Sequence, residues 1–170
     1  LLIPGTLLAD GRFVVRSLLG TGGMGAVYRA ADTRREIDVA LKVLSRVEAD
    51  GIYRLKQEFR SLSSIDHPNL VGLHELYDDD ETWFFSMDLV AGQPLSRARW
   101  KTAELREVFS QLATAIHTIH HHGKLHRDLK PSNVMLTPAG RVVVLDFGLV
   151  SDQEPGGPGQ TLADEGLSGT

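Results

Sequence analysis

The hydrophobic period changes twice within the first ninety residues, and this constrains the fold more than any other feature of the chain. Residues 12–19, Ala26 to Ala31 and Ile37 to Leu44 are rich in β-branched and aromatic residues and read as strands. Ile52, Leu55, Phe59, Leu62 and Ile65 then recur every three or four positions, so 52–65 reads as an amphipathic helix. His67-Pro68-Asn69 ends it, because the residue before a proline avoids the helical region. The strand pattern returns at Leu70 to Tyr77 and Trp83 to Val90, on either side of the acidic turn Asp78-Asp79-Asp80-Glu81. About five strands and one helix are therefore in place by residue 90.

A second helix is predicted from Thr102 to His122, with Leu105, Val108, Leu112, Ala115, Ile116 and Ile119 on one face. Thr102 suits its N-cap and Gly123 its C′ stop. Two short strands follow, Val134 to Leu136 and Val142 to Leu145, around Pro138-Ala139-Gly140. Residues 151–170 carry Pro155, Gly156, Gly157, Pro158 and Gly159 with few apolar side chains, and a mobile loop is expected there.

Composition excludes several classes. A net charge of −4 argues against broad electrostatic attraction to nucleic acid or an anionic membrane. The absence of cysteine rules out a disulfide framework, a thiolate metal site and a cysteine nucleophile, and it fits a reducing compartment. No apolar run approaches the roughly 18 residues of a membrane span. Leu1-Leu2-Ile3-Pro4-Gly5 has no basic stretch before it, so no signal peptide is read, and the missing initiator Met suggests a start inside a longer reading frame.

Gly20, Thr21, Gly22, Gly23, Met24, Gly25 and Val27 fit G-x-G-x-x-G-x-V. Glycines let backbone N–H groups approach phosphate oxygens closely. The same residues equally suit a tight hairpin that needs glycine for its own geometry. A dinucleotide site would need a strand before and a helix after, whereas strands lie on both sides here. Val39-Ala40-Leu41-Lys42 closes the third strand and puts Ala40 and Lys42 on one face. Lys42 is either an ordinary exposed strand lysine or a cation that neutralises phosphate charge. Glu58, between Leu55 and Leu62 on the helix, is either its carboxylate partner or a solvated helix residue.

Leu125-His126-Arg127-Asp128-Leu129-Lys130-Pro131-Ser132-Asn133 matches H-R-D-L-x-x-x-N without a mismatch, and Asp146-Phe147-Gly148 follows a strand of valines. With these motifs in this order, the chain from about Phe13 to Thr170 resembles the eukaryotic-type serine/threonine protein kinases, in wording close to the bacterial members. The resemblance implies an α+β fold: a five-stranded antiparallel N-lobe sheet with one helix, and the start of a mainly helical C-lobe. It divides the chain into an N-terminal extension (1–11), an N-lobe with hinge (12–90) and a partial C-lobe (91–170).

The resemblance also implies roles. ATP and Mg²⁺ are the cofactors. Lys42 would hold the α/β-phosphates, with Glu58 orienting it through an ion pair. Asp128 would accept the substrate hydroxyl proton and Lys130 would steady the transferred phosphoryl group. Asn133 and Asp146 would ligate the metal, a hard ion that prefers oxygen. Met87, Asp88 and Val90 align with the gatekeeper and hinge, with adenine bonded to the backbone of Asp88 and Val90. Val27, Ala40 and Met135 would sandwich the adenine ring, and Leu62, Leu73, His126 and Phe147 would stack as a spine between the lobes. Lys130 favours Ser/Thr over Tyr acceptors. Arg127 implies an activation segment whose phosphorylation it would pair with, at Thr161, Ser168 or Ser151. Thr170 would bond Asp128 and Lys130 instead.

The expected partners are proteins with Ser or Thr acceptors, and a second copy in a homodimer for autophosphorylation. The expected location is cytoplasmic, any membrane anchor lying in a part of the parent protein not present here. Because the chain stops at Thr170, the second helix should lose most of its apolar cover, and the segment by itself should be weakly active or inactive. A nucleotide-binding module without chemistry ranks lower, since Lys42, Asp128, Asn133 and Asp146 are all present. A small-molecule phosphotransferase and a bare scaffold rank lower again. His120, His121 and His122 point in different directions around one helical turn, and no metal site is read from them.

Overall fold

The computed structural model describes residues 1–45, 47, 51–79, 82–98 and 102–145. Strands β1 (Leu7–Leu8), β2 (Phe13–Gly22), β3 (Gly25–Asp32), β4 (Ile37–Leu44), β5 (Leu73–Asp79) and β6 (Thr82–Asp88) form one antiparallel sheet in the order β1-β2-β3-β4-β6-β5. Helix α1 (Ile52–Ser63) lies between β4 and β5. A second sheet, β7 (Gln93–Pro94), β8 (Val134–Leu136) and β9 (Val142–Val144), accompanies helix α2 (Thr102–His121). The expected five strands are present. The sixth, β1, falls in what the sequence marks only as an extension: two residues are too few to show a period.

Strand alternation gives the large sheet two apolar faces, and both are covered. Ala26, Tyr28, Ala30, Val39, Leu41 and Phe84 pack with Leu8, Phe13 and Val15. Ala40, Leu44, Phe85 and Met87 pack with Leu55, Phe59 and Leu62 of α1. The sheet also curls until its two ends touch. The Tyr77 ring of β5 stacks on Phe84 at 4.9 Å and meets the edge of Phe13 at 5.2 Å. The Ala9 N–H, just after β1, donates to Asp79 of β5 at 2.7 Å.

Arg12 closes the same seam. Its buried guanidinium pairs with Asp32 at 3.1 Å and with Glu75 at 2.6 Å, and donates to the Tyr77 hydroxyl. A buried cation needs such compensation. Its bonds to Glu75 and Asp32 raise its pKa further. The Arg12 bond draws the Glu75 carboxyl below its usual range. For Asp32 burial pushes upward, but Arg12 and the N–H groups of Arg35 and Arg34 together outweigh it. Burial, then Glu75, pushes the Tyr77 phenol up.

Asn69 joins the large sheet to the second one. Its side-chain amide donates to Gln111 Oε1 at 2.8 Å and to the Val142 carbonyl at 2.7 Å. Its carbonyl accepts from Val144 N–H, and Val71 N–H donates to Val144 O. Helix α2 ends as expected at Gly123, whose φ is +68°. Gly123 N–H bonds His120 O and Lys124 N–H bonds Ile119 O, the paired closure that a left-handed C′ residue permits. Loss of cover on α2 is less than the sequence suggests. Val108, Ala115 and Ile119 are buried against β8, β9 and the α1 cluster, whereas Phe109 is exposed. No helix among the described residues is long and apolar enough to cross a membrane.

Candidate active site

β2 and β3 meet in a hairpin whose last pair is Gly22 with Gly25. Gly25 has φ +129°, and a Cβ there would lie 1.9 Å from the Val43 carbonyl oxygen, so only glycine fits. A Cβ at Gly20, Gly22 or Gly23 would meet nothing within 4 Å. Thus the hairpin's own geometry accounts for one glycine and leaves three facing open space, where a bound anion could reach the backbone. Thr21 pairs with Ala26, and the Met24 and Gly23 carbonyls accept bonds from Ser45 at the end of β4.

Beneath this tip, cross-strand register places Val27 opposite Lys42, and Ala40 opposite Met87. These four share the face that α1 covers. Lys42 is only 7% exposed, which sets aside the ordinary exposed strand lysine. Asp88 ends β6, Val90 lies in the linker that follows, and Met135 is half-buried on β8 opposite Val143. Glu58 is half-buried on the flank of α1, beside the inward-facing Leu55 and Leu62. The expected Lys42–Glu58 ion pair is not among those formed between described residues within 4.0 Å. Leu55, Phe59 and Leu62 set the rotation of α1 on the sheet and leave Glu58 at the edge of the contact.

The loop after α2 brings three of the predicted residues together. Lys130 Nζ reaches the two Asp128 carboxylate oxygens at 3.0 and 2.8 Å. The Asn133 amide donates to the Asp128 carbonyl at 3.0 Å and to its carboxylate at 2.9 Å. The Lys130 ammonium, with help from Asn133, holds the Asp128 carboxyl below its usual range against the opposing effect of burial. The turn carrying them is strained: Arg127 has φ +61°, rare for a residue with a side chain. Two bonds to Leu145 secure it. His126 Nε2–H donates to the Leu145 carbonyl at 2.8 Å, and Leu145 N–H donates to Asn133 O at 2.7 Å. Leu145 is the residue before Asp146. Asp146, Phe147, Gly148, Ser151, Thr161, Ser168 and Thr170 lie outside the described residues. Of the predicted spine, Leu62 and Leu73 share one buried cluster and His126 is buried.

A family model described as "Protein kinase domain" matches residues 13–164. The chain belongs to the protein kinase domain family. It is 39% identical over 163 residues to the DNA damage-responsive serine/threonine-protein kinase RqkA of Deinococcus radiodurans, covering 90% of this chain and 24% of that protein. Among solved structures it is similar to the Mycobacterium tuberculosis PknI kinase domain (TM-score 0.78, 28% identity, 89% of this chain and 65% of that one). It is also similar to Rad53 in complex with AMP-PNP (TM-score 0.73, 28% identity, 82% of this chain and 39% of that one). The chain thus spans about a quarter of its curated relative RqkA.

Within this kinase-family chain the sequence reading missed the Asn69–Gln111 anchor, the Arg12 clasp and a contact between His74 and Asp88 described below. Asn69 had been visible only as part of a helix stop, and Gln111 lies on the polar flank of α2, where nothing distinguishes it from a solvated residue. Among the described residues no group of three or more His, Cys, Asp or Glu could hold a metal ion. The His117 and His121 rings stack 6.4 Å apart on α2.

Proposed function

We propose that this chain is part of the catalytic domain of a serine/threonine protein kinase that transfers the γ-phosphate of ATP to Ser or Thr hydroxyls of proteins, itself included. The observation that carries the reading is the Asp128–Lys130–Asn133 set, held on a strained turn and anchored to the residue before Asp146. Asp128 is an anion at neutral pH, able to orient an incoming hydroxyl and take its proton late, which suits the loose transition state of phosphoryl transfer. The hydroxyl oxygen bonds the γ-phosphorus as the bond to the β-phosphate oxygen breaks, ADP leaves, and the proton passes to Asp128. Lys130 lies beside Asp128, where negative charge moves during transfer. The open glycine tip and buried Lys42 supply backbone donors and a cation for the phosphates.

A divalent metal fits the donor set. The Asn133 amide nitrogen is committed to Asp128, which leaves its Oδ1, a hard oxygen, to ligate Mg²⁺ together with Asp146. The ion would neutralise phosphate charge. Pairing of Lys42 with Glu58 belongs to the active state and requires a rotamer change or a shift of α1. Val27, Ala40, Met135 and the Asp88–Val90 backbone would enclose adenine. Arg127 would receive a phosphorylated Thr161, Ser168 or Ser151. Similarity to RqkA supports the Ser/Thr class, and similarity to RqkA and the PknI kinase domain supports the bacterial affinity.

The test is transfer of labelled γ-phosphate from ATP and Mg²⁺ to a generic basic protein and to the protein itself, using the full-length gene product beside Asp128→Asn. Transfer should fall by at least about 10²-fold in the variant, the usual contribution of a positioned base, with nucleotide binding retained. Equal transfer by both proteins would refute the assignment. Binding without transfer in either would point to a regulatory nucleotide-binding module.

A further inference from the structure

Asp88, the last residue of β6, is held by three contacts, two to its carboxylate and one to its backbone. His74 Nε2 lies 2.8 Å from Oδ1, Gly72 N–H donates to Oδ2 at 3.2 Å, and Asp88 N–H donates back to Gly72 O at 2.9 Å. Behind the imidazole, Arg35 Nη1 lies 3.0 Å from His74 Nδ1. A guanidinium can only donate. His74 Nδ1 must therefore accept, which places the ring proton on Nε2, where it donates to Asp88. Both contacts agree on one neutral tautomer.

Two further features converge on the same carboxylate. The β5–β6 register shifts between Leu73, opposite Met87, and Leu76, opposite Phe85. Three residues of β5 thus advance while β6 advances two. Such an extra residue re-aims side chains: regular pairing would set His74 opposite Ser86, and instead Glu75 N–H meets the Ser86 hydroxyl at 3.3 Å while His74 reaches Asp88. At Gly72 an added Cβ would lie 2.7 Å from Asp88 Oδ2, so the missing side chain is what makes room for the carboxylate.

We infer that His74, backed by Arg35 and seated by the β5 bulge, is a positioning residue for nucleotide binding: it fixes Asp88 and so pre-orders the Asp88–Val90 backbone that receives adenine. The inference rests on the kinase reading above. A hinge held in its binding geometry loses less conformational freedom when the base docks, so the contact acts on affinity at the adenine end and not on phosphoryl transfer.

The experiment measures adenosine affinity, KM for ATP and kcat in the full-length protein and its variants, with melting temperature as a check on folding. His74→Phe keeps the ring and removes the donor. It should weaken adenosine and raise KM for ATP by a similar factor, about threefold to tenfold, the scale of one hydrogen bond, with kcat within about twofold. His74→Gln, which restores an N–H, should recover most of the loss. Gly72→Ala leaves His74 intact, displaces the carboxylate and should reproduce the Phe effect. Unchanged adenosine affinity in both His74→Phe and Gly72→Ala would overturn the inference. So would a loss that Gln does not recover and that tracks melting temperature alone. If the parent protein binds neither ATP nor adenosine, the proposed function itself falls, a result distinguishable from these because it precedes any variant.

Discussion

Replacing Asn69 by Ala removes a side chain that is buried yet touches no predicted substrate, and so isolates the join between the two sheets. Two donated bonds disappear, at 2.8 Å to Gln111 and 2.7 Å to the Val142 carbonyl. Each is worth about 0.5–1.5 kcal/mol net, so the two together are worth about 1–3 kcal/mol, and a loss of about 2 kcal/mol in all is expected. Gln111 Oε1 still accepts from Val142 N–H at 2.8 Å, which limits the damage. For a chain of this size about 2 kcal/mol corresponds to roughly 4–8 °C in melting temperature. Thermal unfolding measures the total, and amide exchange locates it. The Val71 and Val144 amides, whose bonds cross the join, should lose protection more than the Leu41 amide at the centre of the large sheet. A double-mutant cycle with Gln111→Ala should return a coupling of about 1 kcal/mol. A melting shift under about 1 °C, or additive variants, would refute the claim that these two side chains form one anchor.

The two kinds of glycine in the hairpin should separate cleanly. Gly25→Ala should cost at least about 2 kcal/mol by urea unfolding, because its φ of +129° and the 1.9 Å approach to Val43 O both oppose a side chain. Gly22→Ala should stay within about 0.5 kcal/mol while weakening nucleotide binding by calorimetry. The Arg12 clasp should be acid-labile. Asp32 and Glu75 have folded pKa values below their ordinary ones, so the unfolded state takes up protons first as pH falls. Their contribution is complete above about pH 5, beyond the ordinary carboxylate range, and is lost as pH drops through the depressed folded values. Arg12→Met removes this dependence, so the difference in urea midpoint between parent and variant should be large at pH 7 and shrink at pH 3. A difference independent of pH would rule out the ion pairs as its source.

Much of this was readable from residue types, and the exceptions follow a physical pattern. Strand and helix periods depend on neighbours in sequence, so β2–β6, α1 and α2 were placed to within a few residues. Asp128, Lys130 and Asn133 lie within six consecutive positions; the family pattern names Asp128 and Asn133, and the resemblance to the serine/threonine class adds Lys130. Arg12 with Glu75, Asn69 with Gln111 and His74 with Asp88 are pairs far apart in sequence, brought together by sheet curl, by the join between sheets and by a bulge. None of those is a local property. Lys42 and Glu58 show the converse limit: the sequence names both partners, but the distance between them depends on where α1 rests.

That distance bears on how the site would be switched. Lys42 on β4 and Glu58 on α1 belong to the same side of the molecule, so closing their pair is not a matter of moving one sheet toward the other. Under the proposed kinase reading it would take a rotamer change or a shift of α1 on Phe85 and Leu44. The chain leaving α1 runs through Ile65 to Asn69 and Val71, and those residues are bonded directly to Val142 and Val144 of β9. Two residues on from Val144 comes Asp146, with Leu145 between them held by His126 and Asn133. Under that reading, a shift of α1 that brought Glu58 to Lys42 would be felt at β9 through these bonds. The Asn69 anchor fixes how stiff that connection is, which is why its loss should loosen the coupling between the two halves of the site as well as lower the melting temperature.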